Sequence, residues 1–167
     1  MKHRLGAFLV LAFALLSTAH ARPGNDGFVG GSLGTARVDG GEFDGRNEGY
    51  KLFLGSQGAV FGSELGYLDL ARLGGGRDAP DSQGYTLALS AGGPVTPLLF
   101  PYARVGLLFA RTEGGSVARR LRDHEPFYGI GLRVRLLPRW SLRAEYERFD
   151  IARQDVDLFS AGIELRF

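Results

Sequence analysis

Cysteine is missing from all 167 residues, so neither disulfide staples nor thiol chemistry is available. The fold must then hold through packing, backbone pairing or a membrane. Long apolar runs are missing as well. The longest, Leu5–Thr18, falls short of the ~20 residues that a spanning helix needs. It follows a basic head, Met1–Arg4, and precedes Ala19-His20-Ala21, a small-x-small cleavage pattern. Residues 1–21 therefore read as an export signal and residues 22–167 as one mature domain.

Net charge is the third thing the mature chain lacks. Lys2 and Arg4 are two of the 20 basic residues and leave with the signal, whereas all 18 acidic residues remain. The remainder is formally neutral, which removes the basic patch that a nucleic-acid partner would require. Histidine is scarce too: past the signal only His124 occurs, between Asp123 and Glu125, and its surroundings read as a solvated loop. With Ser116 as the nearest serine, no nucleophile and base motif is recognisable. No His or Cys cluster suits a transition metal. The stretch GGGR at Gly74–Arg77 lacks the lysine and spacing of a phosphate loop. No cofactor and no enzyme activity are expected.

What the chain does have is alternation. Segments of about ten residues, apolar on every second position, are separated by Gly, Pro and charge clusters, and no amphipathic helix interrupts them. The predicted strands are Gly27–Val38, Glu48–Ser56, Val60–Leu70, Gln83–Ala91, Phe100–Ala110, Phe127–Leu137, Trp140–Phe149 and Val156–Phe167. The prolines fall in connections, except Pro101 and Pro126, which are placed at or just before strand starts. The connections 57–59, 92–99 and 138–139 look tight. Those at 39–47, 71–82, 111–126 and 150–155 look longer or more polar, so loops are sorted by end, as in an outer-membrane barrel.

On the last strand Phe159, Ala161, Ile163, Leu165 and Phe167 share one face, and Ser160, Gly162, Glu164 and Arg166 the other. The same division recurs on other strands: Leu142, Ala144 and Tyr146 oppose Arg143, Glu145 and Glu147, while Val105, Leu107 and Phe109 oppose Arg104 and Gly106. A soluble barrel would turn the apolar face inward, and a membrane barrel outward. Glycines decide for the membrane. Gly62, Gly66, Gly106, Gly129, Gly131 and Gly162 all lie on the charged face, and a narrow barrel interior needs such small neighbours, whereas a solvated face gains nothing from them. Trp140 and Phe167 suit an interfacial aromatic girdle. Strand one is ambiguous, since glycines occur on both of its faces. The fold class expected is all-β: an eight-stranded antiparallel up-and-down transmembrane barrel.

Arginine on the lipid face costs ~2 to 4 kcal/mol at mid-bilayer, so Arg104, Arg133 and Arg143 should turn inward and find partners. The inward tally is Lys51, Arg104, Arg133, Arg135, Arg143 and Arg166 against Glu64, Glu145, Glu147 and Glu164. That near balance favours a filled interior over an ion-selective pore. It also makes structural pairing a better reading of Glu145 and Glu147 than a glycosidase carboxylate pair.

Three stretches carry a resemblance to the OmpA-like eight-stranded outer-membrane barrel family, which is related to small porin-like and adhesin-like surface barrels. They are FGSELGYLDL (Phe61–Leu70), with its Gly-x-Glu-x-Gly-Tyr core, QGYTLALSAGGPVTP followed by PYARVGLLFART, and the ending FSAGIELRF. The resemblance covers nearly all of residues 22–167. It implies a bacterial outer-membrane location and an internal network whose members look like Glu64, Arg104 and Glu145. The family's further arginine, from the last long loop, has no clear counterpart, and Arg133, Arg143 and Arg166 are the substitutes on offer. The terminal Phe167 looks like the signal read by the barrel-assembly machinery. No peptidoglycan-binding domain follows the barrel, so cell-wall anchoring is not implied. In the loops, Arg119, Arg120 and Arg122 suit lipopolysaccharide phosphates or a merely solvated surface.

The expectation is a monomer among outer-membrane lipids with a structural or adhesin-like surface role. A narrow passive channel and a lipid-modifying enzyme are the alternatives.

Overall fold

A computed structural model describes residues 26–39, 47–70, 81–113, 124–151 and 154–167. The export signal, Gly74–Arg77, Ser116 and the loop arginines Arg119, Arg120 and Arg122 lie outside the described residues. His124 is described in its backbone alone.

Eight strands run in chain order: β1 (Asp26–Asp39), β2 (Asn47–Gln57), β3 (Phe61–Leu70), β4 (Asp81–Gly92), β5 (Leu99–Glu113), β6 (His124–Arg135), β7 (Trp140–Ile151) and β8 (Gln154–Arg166). Each pairs antiparallel with the next, and β8 pairs with β1, which closes the barrel. Closure leaves no unpaired strand edge, a requirement for crossing a bilayer with strands.

The register sets the barrel's dimensions. Ala110 can be followed through Gly84, Leu68, Lys51, Ser32, Gly162, Arg143 and Arg133 back to β5 at Phe100, ten residues below its start. A stagger of that size in eight strands tilts them by ~40° and leaves an interior that side chains can fill.

The faces turn out as a membrane demands. Outward side chains include Leu33 and Phe61, each 74% exposed, with Leu89 and Ile130 above 60%. Inward, Lys51, Glu147 and Glu164 are at most 2% exposed. On β1 the question the alternation left open is settled: Phe28, Ser32 and Ala36 are buried inward, and Leu33 faces out. Aromatic residues mark both edges of the outer band. Tyr67 packs edge-on against Tyr85 at 5.6 Å and against Tyr50 at 6.2 Å, and Tyr146 lies 4.7 Å from Phe159. Trp140 and Phe167 lie at the other edge. Between Phe159 and Phe167 the strand rises about 20 Å along the axis, given ~3.3 Å per residue and the tilt above.

Several boundaries differ from expectation, and two of the differences bear on the connections. The stretch Asp150–Asp155, anticipated as a polar connection, is mostly ladder. Asp150 pairs with Asp155 and Ile151 with Gln154. Its polar residues break the apolar alternation, but backbone pairing continues beyond the lipid band, where outward positions no longer have to be greasy. At the other end β6 stops at Arg135. The connection 136–139 is held by the Leu136 and Leu137 N–H groups, which both donate to the Trp140 carbonyl, at 3.0 and 3.1 Å. Pro101 and Pro126 are each the third residue of a strand rather than its opening residue.

Glycines accommodate the bulky inward side chains by register. Phe53 lies directly opposite Gly30, Phe28 opposite Gly55, Phe127 opposite Gly106, and Tyr102 opposite Gly131. A Cβ on Gly106 would sit 2.6 Å from the Phe127 ring, so each ring occupies the space its partner lacks.

Candidate functional site

The inward face is divided along the axis. At the end away from the chain termini it is apolar: Ala36, Leu68, Ala88, Leu108, Phe127, Phe149, Val156 and Leu158 are all at most 3% exposed. Phe127 and Phe149 stack there at 4.8 Å. Below that stopper the same positional parity continues into charge, since Glu64 shares its face with Leu68, Arg104 with Leu108, and Glu147 with Phe149.

Four of those charges close a ring. Arg104 Nη2 donates to Glu64 Oε1 at 2.9 Å, and Arg104 Nη1 to Glu145 Oε1 at 2.5 Å. Arg143 Nη2 lies 2.6 Å from Glu145 Oε1 and 2.5 Å from Glu64 Oε2. The carboxylates come from β3 and β7 and the guanidiniums from β5 and β7, so the ring spans the lumen. Its members are 2 to 7% exposed. Lys51, from β2, braces it by donating to Glu145 Oε2 at 2.5 Å and to Glu147 Oε2 at 2.7 Å. The Tyr102 hydroxyl donates to Glu145 Oε1 at 2.8 Å.

A second cluster lies nearer the termini. Glu164, fully buried, accepts from Arg133 Nε and Arg166 Nε, each at 3.0 Å, and Arg143 Nη1 stands 3.6 Å away. Arg143 thus belongs to both clusters. Aromatic faces line the cations: Phe53 lies 4.2 Å from the Arg143 guanidinium carbon, and Tyr102, Phe100 and Phe28 lie 5.2 to 5.5 Å from that of Arg133. Such contacts add an attraction of order 1 to 2 kcal/mol when desolvated.

Chemically, this is an arrangement for holding charge in place. Desolvating so many ions is costly, and mutual pairing is what offsets the cost. Pairing is incomplete, because Arg143 Nε and Nη1, Arg104 Nε and Glu147 Oε1 make no hydrogen bond to protein. Both Glu145 and Glu147 are engaged by Lys51, which occupies the two carboxylates together. No group of three or more His, Cys, Asp or Glu among the described residues is placed to hold a metal.

The sequence-derived candidates for the lumen now have locations. Glu64, Arg104 and Glu145 meet in the ring, and of the three substitutes for the missing arginine it is Arg143 that joins them. Arg133, Glu164 and Arg166 form the lower cluster, and Glu147 connects through Lys51. Arg135 is exposed at the rim rather than buried. The terminal residue pairs with β1: Gly27 N–H donates to the Phe167 carbonyl at 3.1 Å and Phe167 N–H returns to Gly27 at 2.9 Å. Tyr102 and the ring-facing Phe53 were not singled out in the sequence. Their parity with Arg104 and Lys51 was the available signal.

Solved structures of similar fold include outer-membrane proteins. Neisserial surface protein A superposes with a TM-score of 0.61 at 17% identity, covering 86% of this chain and 97% of that one. The outer membrane protein OprG of Pseudomonas aeruginosa gives 0.59 at 14% identity, with 86% and 96% covered. Ail, the attachment invasion locus protein of Yersinia pestis, in complex with the heparin analogue sucrose octasulfate, gives 0.55 at 19% identity, with 86% and 99% covered. At these identities the likeness establishes fold alone. No curated protein matches the sequence. The family model described as "Outer membrane protein beta-barrel domain" matches residues 6–167. The chain therefore belongs to the outer-membrane protein β-barrel domain family, as an eight-stranded barrel of the bacterial outer membrane.

Proposed function

We propose that this barrel is a closed, non-enzymatic surface protein, structural or adhesin-like, whose interior is sealed rather than conducting. The observation that carries the reading is the ring Glu64–Arg104–Glu145–Arg143 lying beneath a buried apolar stopper. Hydrated ions would have to separate pairs held in a low-dielectric interior, where attraction between opposite charges is far stronger than in water. With the lumen closed, binding is left to the surface and loops.

In this reading Arg119, Arg120 and Arg122 contact phosphates of lipopolysaccharide, and the protein is a monomer inserted by the barrel-assembly machinery through Phe167. The complex of Ail with a heparin analogue supports a surface-binding role by analogy of fold only.

The test compares cells with and without the full chain for adherence to heparin-coated surfaces, for uptake of a small polar solute, and for lipid A mass. Raised adherence with unchanged uptake and unchanged lipid A is the expected pattern. Raised uptake without adherence would replace this reading by a passive channel, and altered lipid A by an enzyme.

A further inference from the structure

Among the described residues, the charges at the two ends of the barrel differ in sign. On the outer face at the loop-bearing end, Glu48, Asp69, Asp150, Asp155 and Asp157 accompany Arg37 and Arg148, and Arg148 is held by Asp157 at 2.6 Å. At the terminus end the balance reverses. Arg135 and Arg139 are exposed and Arg166 is partly so, while Glu164 is fully enclosed by its own arginine partners. Asp26 is the other carboxylate among the described residues of that rim.

The basic groups sit on a rigid, partly greasy platform. The connection 136–139 is tied to both neighbours, because Arg135 N–H donates to the Leu98 carbonyl and Arg166 N–H to the Arg139 carbonyl, each at 2.8 Å. Leu136, Leu137 and Trp140 stand on it, 53, 59 and 40% exposed. By the rule that periplasmic turns are short, this end faces the periplasm. Exposed cations next in the chain to an exposed indole and two leucines match a lipid with its phosphate at the headgroup level and its chains against the apolar band.

We infer that the rim formed by Arg135, Arg139 and Arg166 around Trp140 selects anionic phospholipid of the inner leaflet, binding the headgroup phosphate and orienting the barrel in the membrane. Two exposed arginines within a Debye length of the phosphate give roughly a ten-fold preference for an anionic over a zwitterionic headgroup at low salt.

The experiment is native mass spectrometry of the folded full chain from mixed micelles containing equal phosphatidylglycerol and phosphatidylcholine. The wild type should retain phosphatidylglycerol about ten-fold over phosphatidylcholine, and the preference should shrink with added salt. The double variant Arg135→Gln, Arg139→Gln should lose it. Arg37→Gln, at the opposite end, should keep it. Equal retention of the two lipids by the wild type, or an unchanged preference in the double variant, would overturn the inference, as would loss of the preference in Arg37→Gln. None of these outcomes bears on whether the lumen conducts.

Discussion

Arg143 and Glu64 meet at 2.5 Å across the lumen, from β7 and β3, strands four apart in a ring of eight and so on opposite walls. One cation thereby links the two sides of the barrel, and it also reaches Glu145 and approaches Glu164.

Removing that link strands carboxylates in a dry interior. Arg143→Met should destabilise the barrel by about 3 to 5 kcal/mol, the usual cost of leaving a buried partner unpaired. Lys51→Met should cost a comparable amount: Glu145 keeps Arg104 and Arg143, but the buried Glu147 loses the hydrogen bond from Lys51 and is left with Arg104 at 3.4 Å. Urea unfolding in lipid vesicles, followed by the fluorescence of the single tryptophan, Trp140, measures both. Equal, small losses would mean that the pairs are not mutually dependent.

On the outer face the cost of charge should depend on depth. Leu89 is 62% exposed and lies about midway down the lipid band, so Leu89→Arg should cost ~2 to 4 kcal/mol. Val95, 72% exposed in the connection between β4 and β5, should accept arginine with almost no loss. The same unfolding assay reads the difference.

Packing between glycine and its opposing ring makes a third expectation. Gly106→Val would force the Phe127 ring from its place, since even a Cβ sits 2.6 Å from it, and overpacking of that kind costs ~1 to 3 kcal/mol. At Gly93 nothing lies within 4 Å of an added Cβ. Gly93→Ala should therefore change stability by less than about 0.5 kcal/mol.

A closed barrel of this type should also survive detergent at room temperature. Unheated and boiled samples should migrate differently on a gel. Identical migration would mean that the ladder closing β1 to β8 opens in detergent.

The strands and the outward face were readable in the sequence because lipid demands apolar residues at every second position, and Leu87, Leu89, Leu107 and Ile163 meet that demand. Glu64, Arg104 and Glu145 could be gathered for the complementary reason, that charge has nowhere else to go. The choice of Arg143 over Arg133 and Arg166 could not be read, because it depends on the ten-residue stagger that brings β7 level with β3 across the lumen. The apolar stopper of Leu68, Leu108, Phe149 and Leu158 went unread because those residues mimic a loss of alternation near the strand ends. The length of the last hairpin was hidden for a related reason: Asp150 and Asp155 pair through their backbones, to which side-chain polarity gives no clue.

Single-channel conductance in planar bilayers tests closure most directly. The wild type should be silent or nearly so, and Glu64→Ala and Arg104→Ala should each open measurable current, since each removes one member of the ring and with it two of the four pairings. Steady conductance in the wild type, or silence in both variants despite confirmed folding, would contradict the claim that the ion-paired ring is what seals this barrel.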